Sequence, residues 1–384
     1  MSAGATPRVY LDYNATSPLR PQARAAMVEA LDATGNPSSV HFEGRRAREI
    51  VEKARRHVAE LVGAGPRNVV FTSGATEANN TVIAQARWAT VAVSAVEHPS
   101  VIEPARRLGA DRFTGLPVRS NGRIDLDALQ TWLQMPCKGE RLVSVQWANG
   151  ETGIVQPIRE VAELVANHGA VLHVDAVQAA GRLAIDVSEM EIGFLTLSSH
   201  KIGGPQGIGA IVQGPGGELL WPLVVGGGQE SRLRAGTENV AAIAGFGAAA
   251  TCALSEAGER RLETLRDQLE TGVKAVTPNA MVIGEEVPRL VNTSAVALAG
   301  IRAETSVIAF DLAGVSISAG SACSSGKVGR SHVLTAIGLE DGLALSALRF
   351  SLGWSSTEKD VSQFLEIWGD VMNRKRAGVA EAAA

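Results

Sequence analysis

A chain of 384 residues, 45% hydrophobic and 20% charged, is long enough to bury a large core and to form more than one domain. Its 36 Lys and Arg against 40 Asp and Glu leave a net charge of −4, so the chain as a whole offers no basic footprint for nucleic acid or for an acidic membrane surface. Three cysteines, at 137, 252 and 323, include no CxxC pair, which argues against a disulfide framework or a zinc site and for a reducing compartment. The first ten residues lack the apolar stretch of a secretory signal, and no run approaches the ~20 apolar residues of a membrane span. A soluble, cytoplasmic protein is the expectation.

In chain order, the first marked segment is Arg45-Arg46-Ala47-Arg48 to Arg55-Arg56, interleaved with Glu43, Glu49 and Glu52, which reads as a solvated, ion-paired helix face. Apolar runs follow at Val69–Phe71, Val91–Ala95, Leu142–Gln146, Val171–Val174, Phe194–Leu197 and Ile208–Val212. Segments of helical periodicity such as Ile158–Asn167 separate them, the pattern of an α/β protein with a mostly parallel sheet. A long helical segment is expected over about Ala248 to Val276, with Cys252 in it as a small buried hydrophobe. From Pro278 to about Arg376 the chain reads as a smaller α/β domain, and the small-residue tail Ala377–Ala384 as frayed.

Ligands of such sheets bind beyond the carboxyl ends of the strands, and the chemistry-bearing residues fall there. Val69-Val70-Phe71-Thr72 breaks into Ser73-Gly74-Ala75-Thr76-Glu77, a small-residue turn opening a helix, where free N–H groups and the Thr76 hydroxyl make a phosphate cradle or, more plainly, an ordinary cap. Leu172-His173-Val174-Asp175 ends an apolar strand in a carboxylate, which needs a cationic partner if buried. Leu195-Thr196-Leu197-Ser198-Ser199-His200-Lys201 sets one lysine among hydroxyl and imidazole groups at the end of another strand. A lysine that bonds an aldehyde needs such partial desolvation to lose its proton. A strand-end Asp for a pyridinium nitrogen and a strand-end Lys for the aldehyde are the pair that pyridoxal 5'-phosphate (PLP) chemistry requires. Cys323, with glycine and serine on both sides, has the composition of an accessible segment, whereas Cys137 follows Pro136 in a polar loop.

Five segments occur in the order seen in NifS/IscS-type cysteine desulfurases: Thr72 to Glu77, Glu97-His98-Pro99-Ser100, His173 to Gln178, Ser198 to Lys201, and Arg234-Ala235-Gly236-Thr237-Glu238-Asn239. Gly320-Ser321-Ala322-Cys323-Ser324-Ser325-Gly326 resembles that family's mobile loop with its sulfur-accepting cysteine. The resemblance runs from Tyr10 to Gly353 and is closest in wording to the nitrogen-fixation (NifS) branch. It implies the PLP fold type I of class V aminotransferases, with a large domain over 15–255, a small domain over 1–14 and 256–384, and the cysteine loop at about 319–330.

The resemblance also assigns roles. Lys201 would hold the PLP aldehyde and shuttle the substrate Cα proton, Asp175 would face the ring nitrogen, Gln178 the ring oxygen, and His98 would stack on the ring and handle protons. Phosphate contacts would come from Ala75, Thr76, Ser198 and His200, with Thr237 reaching the phosphate of a partner subunit, which implies a homodimer. Arg349 would clamp the substrate carboxylate; an edge-strand ion pair is its plainer reading. The implied reaction takes L-cysteine to L-alanine and leaves a persulfide on Cys323 for an acceptor scaffold protein of iron–sulfur cluster assembly, with nitrogenase the expected beneficiary. No resident metal site is expected, although Cys323 would meet a cluster during transfer. Selenocysteine lyase, another PLP fold type I activity such as an aminotransferase, and a sulfur-carrier scaffold with impaired turnover are the alternatives. One departure stands out: where the family has Asn-Asn-Glu, this chain has Asn149-Gly150-Glu151, so either Asn149 shifts to contact the ring oxygen or Gln178 serves it alone.

Overall fold

The computed structural model describes residues 8–217, 220–320 and 330–382. Seven strands form the larger sheet, in the spatial order Val69–Thr72, Gly209–Gln213, Phe194–Ser198, Val171–Asp175, Glu140–Ser144, Trp88–Ser94 and Phe113–Leu116. Six of the seven run in one direction; Gly209–Gln213 pairs antiparallel with both of its neighbours. Helices cover both faces, so the central strands carry apolar side chains on either side; Val91, Val93, Leu142, Val143, Leu172, Val174, Phe194 and Leu195 are all buried.

The common direction has a direct consequence. Thr72, Ser94, Ser144, Asp175 and Ser198 all end their strands at one edge of the sheet, and Gly209, which pairs with both Thr72 and Ser198, begins its strand there. Loops leaving this edge therefore converge on one crevice.

A second, antiparallel sheet has the order Ser318–Ala319, Leu348–Ser351, Thr293–Ala297 and Met281–Val282. Helices Arg261–Val276, Ala303–Leu312 and Glu358–Ala382 pack on it over a separate apolar cluster. Phe310 and Trp368 stack there with ring centres 5.5 Å apart, and Phe350 and Phe364 close the group. The N-terminal strand Val9–Tyr10 pairs in parallel with Val315–Ser316 and so joins this half of the molecule, while Asp12 bridges to Ser351.

Several expectations are corrected. The helix expected over Ala248 to Val276 is two helices, Val240–Glu256 and Arg261–Val276, bent by 74°. The break lies at Ala257, which is extended, and at Gly258, whose φ of +85° suits glycine alone. Cys252 is half-buried rather than buried. The arginine-rich helix Phe42–Leu61 is not solvated throughout, because Arg55 lies on its inner face with Val51, Ala54 and Val58 and forms a buried two-pronged pair with Glu230, both N–O distances being 2.7 Å. The tail is helical through Ala382. Among the described residues no single helix is long and apolar enough to cross a membrane.

Candidate active site

The crevice at the strand ends is a cavity of about 590 Å³, a size suited to a small organic cofactor with its substrate. Ala75, Thr76, His98, Asp175, Gln178, Ser198, His200 and Lys201 line it together with Ala15, Thr16, Ser100, Gln146, Gly150, Gln206 and Gly207. Eight of the residues singled out from the sequence thus meet in one place.

At one end, helix Ala75–Ile83 points its N-terminus into the cavity. Its first N–H groups have no partner within the helix, and Gly74 at the cap offers no side-chain oxygen to take them. A Cβ on Gly74 would meet nothing within 4 Å, so the approach to these donors is open. Glu77 closes the turn by accepting from Ser73 N at 2.8 Å and pairing with Arg234 at 3.0 Å; these hydrogen bonds, opposed by burial, hold its carboxyl below the usual range. Such a helix start is built for a phosphate.

At the other end Asp175 is buried, and both its oxygens are held by neutral donors: Val177 N at 3.0 Å on Oδ1 and Asn79 Nδ2 at 2.9 Å on Oδ2. Asn79 is itself fixed, since its Oδ1 accepts from Thr196 Oγ1 at 2.6 Å and its Nδ2 also reaches Ser100 Oγ at 2.9 Å. Thr196 in turn meets His173, which burial pushes down to a pKa of about 3 and so keeps neutral. A buried carboxylate that lines a cavity and is held by neutral donors suits a cation arriving there, and a protonated pyridine nitrogen is one.

Between the two ends, Lys201 Nζ donates to the carbonyls of Asn14 at 2.5 Å and Ala15 at 2.9 Å. His98 caps helix Pro99–Arg106, with Nδ1 accepting from Ser100 N at 3.1 Å, which leaves the proton of the neutral ring on Nε2. Burial first, then the charges of Lys201 and His332, lower its pKa against the opposing pull of Asp175. His200, beside Thr16 Oγ1 at 3.1 Å, is pushed down to about 4 by burial and by Lys201. Both histidines are therefore neutral near pH 7. The donor set fits PLP: a helix start with hydroxyls for phosphate, an amine for an aldehyde and a carboxylate for a ring nitrogen.

The remaining residues singled out from the sequence lie outside this cavity. Thr237 is exposed and outside the cavity lining of its own chain, on the segment that Arg234 ties to Glu77. Arg349 is buried but does not line the cavity; it pairs with Asp12 at 2.7 Å and donates to Gly150 O at 3.0 Å, while its Nε is buried without a partner. Arg349 is thus ion-paired in this structure, on an inner rather than an edge strand of its sheet, with one donor left over. Asn149 is excluded from the cavity because its amide is spent on Val96 O, on the N–H groups of Glu151 and Thr152, and on Thr152 Oγ1. Cys323 and the rest of Ser321–Gly329 lie outside the described residues. At their described flanks, Ser331 Oγ donates to Glu151 Oε2 at 2.6 Å, and that same oxygen is close to Gly320. Burial raises the Glu151 pKa to about 7, against the pull of Ser331 and Arg349.

Sequence reasoning missed Asn14, Ala15 and Thr16, which supply carbonyls and a hydroxyl to the wall, and Asn79, which holds Asp175. Asn79 was within reach: it falls one helical turn after Thr76, hence on the same face.

Residues 9–364 match the model of the aminotransferase class-V family. The chain belongs to that family. It is 40% identical over 379 residues to a protein of Archaeoglobus fulgidus named cysteine desulfurase IscS 1, covering 96% of this chain and 98% of the relative. The crystal structure of a NifS-like protein from Rickettsia africae superposes with a TM-score of 0.88 at 33% identity, over 95% of this chain and 99% of that one. A structure described as SspA in complex with cysteine superposes at 0.77 and 31% identity, over 89% and 98%. PLP fold type I, expected from the sequence, is thereby the fold of the chain.

Proposed function

We propose that the chain is a PLP-dependent cysteine desulfurase that converts L-cysteine to L-alanine and retains the sulfur as a persulfide on Cys323. The observation that carries the reading is the buried Asp175 carboxylate, held by Asn79 and Val177, lining one cavity with Lys201 and a helix N-terminus, in a chain similar over nearly its whole length to named desulfurases. The cysteine complex of SspA supports the substrate.

Bound in this cavity, PLP supplies an electron sink for negative charge at the substrate Cα. Asp175, held by Asn79 and Val177, would keep the ring nitrogen protonated, and the N–H groups at Ala75 and Thr76 with Ser198 and His200 would take the phosphate. Lys201 is the amine that would hold the aldehyde and would carry the substrate Cα proton on Nζ, with the Nε2–H of His98 a second proton donor on the cavity wall. Arg349, next to the cavity through its bond to Gly150 O, would turn from Asp12 to clamp the substrate carboxylate. The Cys323 thiolate attacks the substrate sulfur: an S–S bond forms, the Cβ–S bond breaks, and its electron pair stays with the carbon skeleton, which takes up protons and leaves as alanine.

The proposal includes the division into domains at 15–255 and at 1–14 with 256–384, a cytoplasmic homodimer in which Thr237 reaches the phosphate site of the second copy, and delivery of sulfur to an iron–sulfur scaffold protein. A role in nitrogen fixation rests on the wording of Trp147–Gly153 and Arg234–Asn239 alone. Purified protein incubated with L-cysteine and dithiothreitol, without any keto acid, is expected to release sulfide and alanine in equal amounts. Alanine formation that requires a keto acid contradicts the reading.

A further inference from the structure

Gln178 reaches the cavity from the turn after Asp175, and three features determine which end of its amide faces inward. First, Arg182, four residues on, donates through Nη1 to the Gln178 carbonyl at 3.0 Å and to Gln178 Oε1. A guanidinium has donors only, so it holds the amide oxygen and never the NH2 end. Second, Gly150 stands opposite: a Cβ there would lie 3.0 Å from Gln178 Nε2 and 3.5 Å from Cγ and Cδ, so the absence of a side chain leaves Nε2 its place in the cavity wall, where it donates one hydrogen bond to Asn14 O at 3.1 Å and keeps a second N–H. Third, Arg182 has no carboxylate partner among the described residues. Burial and then the like charge of Arg349 lower its pKa to about 9, which still leaves it charged at neutral pH.

We propose that Arg182 is a positioning residue that locks the Gln178 amide with its NH2 toward the cavity and polarises it as a donor to the anionic ring oxygen of the bound cofactor. The inference rests on the PLP reading above. An amide turned the other way would set lone pairs against that anion, and the two orientations have nearly the same shape, so packing alone does not choose between them. The guanidinium on Oε1 and the Asn14 carbonyl, which accepts from Nε2 at 3.1 Å, make the choice together, and the guanidinium, by withdrawing charge through Oε1, also strengthens the second N–H of Nε2. Because Asn149 is spent on the backbone and position 150 has no side chain, the oxygen depends on Gln178 from this side of the cavity.

The test is titration of apoprotein with PLP, followed by the absorption band of the bound cofactor, in wild type, Arg182→Met, Arg182→Lys, Gln178→Ala and the double variant Gln178→Ala/Arg182→Met. Arg182→Met is expected to weaken PLP binding about tenfold, the size of one lost charge-assisted hydrogen bond, and to shift the absorption band. Arg182→Lys, which keeps a cationic donor, should stay within about threefold of wild type. In the Gln178→Ala background the same Arg182→Met change should cost less than about twofold, since the group it positions is gone. Persistence of the full tenfold loss without Gln178, or an Arg182→Met protein with wild-type affinity and spectrum, overturns the positioning role. If Arg182→Met does not fold, Arg182→Gln takes its place in the same cycle. Wild-type apoprotein that takes up no PLP overturns the cofactor reading and this inference with it.

Discussion

At the carboxyl edge of the seven-stranded sheet the groups that act on the cofactor have fixed partners, although Ser94 Oγ, Glu97 Oε2 and Ser199 Oγ close by are buried without one. Asp175 is held by Asn79 and Val177, His98 by Ser100, Lys201 by the carbonyls of Asn14 and Ala15. Where the four-stranded sheet meets this edge the groups are different: Arg349 carries a buried Nε with no partner, and burial pushes the carboxyl of Glu151, on the loop after Glu140–Ser144 and set against Ser331, up to about 7. Satisfied polar groups make a rigid frame, whereas the Arg349 Nε, buried and short of a partner beside the crevice, keeps a donor in reserve. The contrast matches a division of labour in which one region holds the cofactor and works on carbon, and the other receives the substrate carboxylate and lies beside the segment bearing Cys323.

The comparison can be broken most severely at Lys201. Lys201→Ala is expected to abolish sulfide release, a loss of ~10³-fold or more, while the phosphate cradle still retains cofactor. Borohydride reduction and peptide mapping of the wild type should find the cofactor on Lys201; finding it on Lys53 or Lys327 would remove the amine from the sheet edge. Arg349→Lys probes the other region. With the planar fork gone, KM for L-cysteine should rise ~10-fold or more with a smaller change in kcat. An unchanged KM would confine Arg349 to its pair with Asp12.

Glu151 sharpens the comparison through stability. Its folded pKa of about 7 lies above the ordinary carboxyl value, so the folded state binds the proton more tightly. The stability it lends is complete below about pH 4.3, is lost as pH rises to about 7, and levels off beyond. Glu151→Gln keeps an acceptor for Ser331 but cannot ionise, and should therefore be more stable than wild type by about 3 kcal/mol at pH 8 with little difference at pH 4.5. Urea unfolding at the two pH values measures it; parallel pH dependence in both proteins would show that Glu151 is not held neutral.

Much of the sheet-edge region was legible in the sequence because its signals are local. Apolar runs ending in Asp175 and Lys201, and a strand breaking into a Gly-Ala-Thr helix start, announce themselves within ten residues each. What escaped depends on contacts distant in sequence. Nothing in the string tells Gly209–Gln213 to run antiparallel, or brings Asn14 to Lys201 across 187 positions. Arg55 reads as one more charge on a polar helix until Glu230 is found 175 residues away. The break at Ala257–Arg260 was hidden by good helix formers on both sides of Gly258, a residue whose left-handed conformation becomes evident only in three dimensions. Asn149 was left open for the same reason, because its commitments to Val96 and Thr152 are tertiary.

Cys323→Ser separates the two regions most directly. A serine hydroxyl stays protonated near neutral pH and cannot accept sulfur, while the groups around Lys201 are untouched. In deuterated buffer this variant should exchange the Cα proton of L-cysteine at a rate within about threefold of wild type, yet release no alanine and hold no persulfide, whereas Cys137→Ser and Cys252→Ser remain near wild type in both assays. Wild-type alanine production by Cys323→Ser, or loss of its Cα exchange, would contradict the division of carbon and sulfur chemistry between the sheet edge and the segment that carries Cys323.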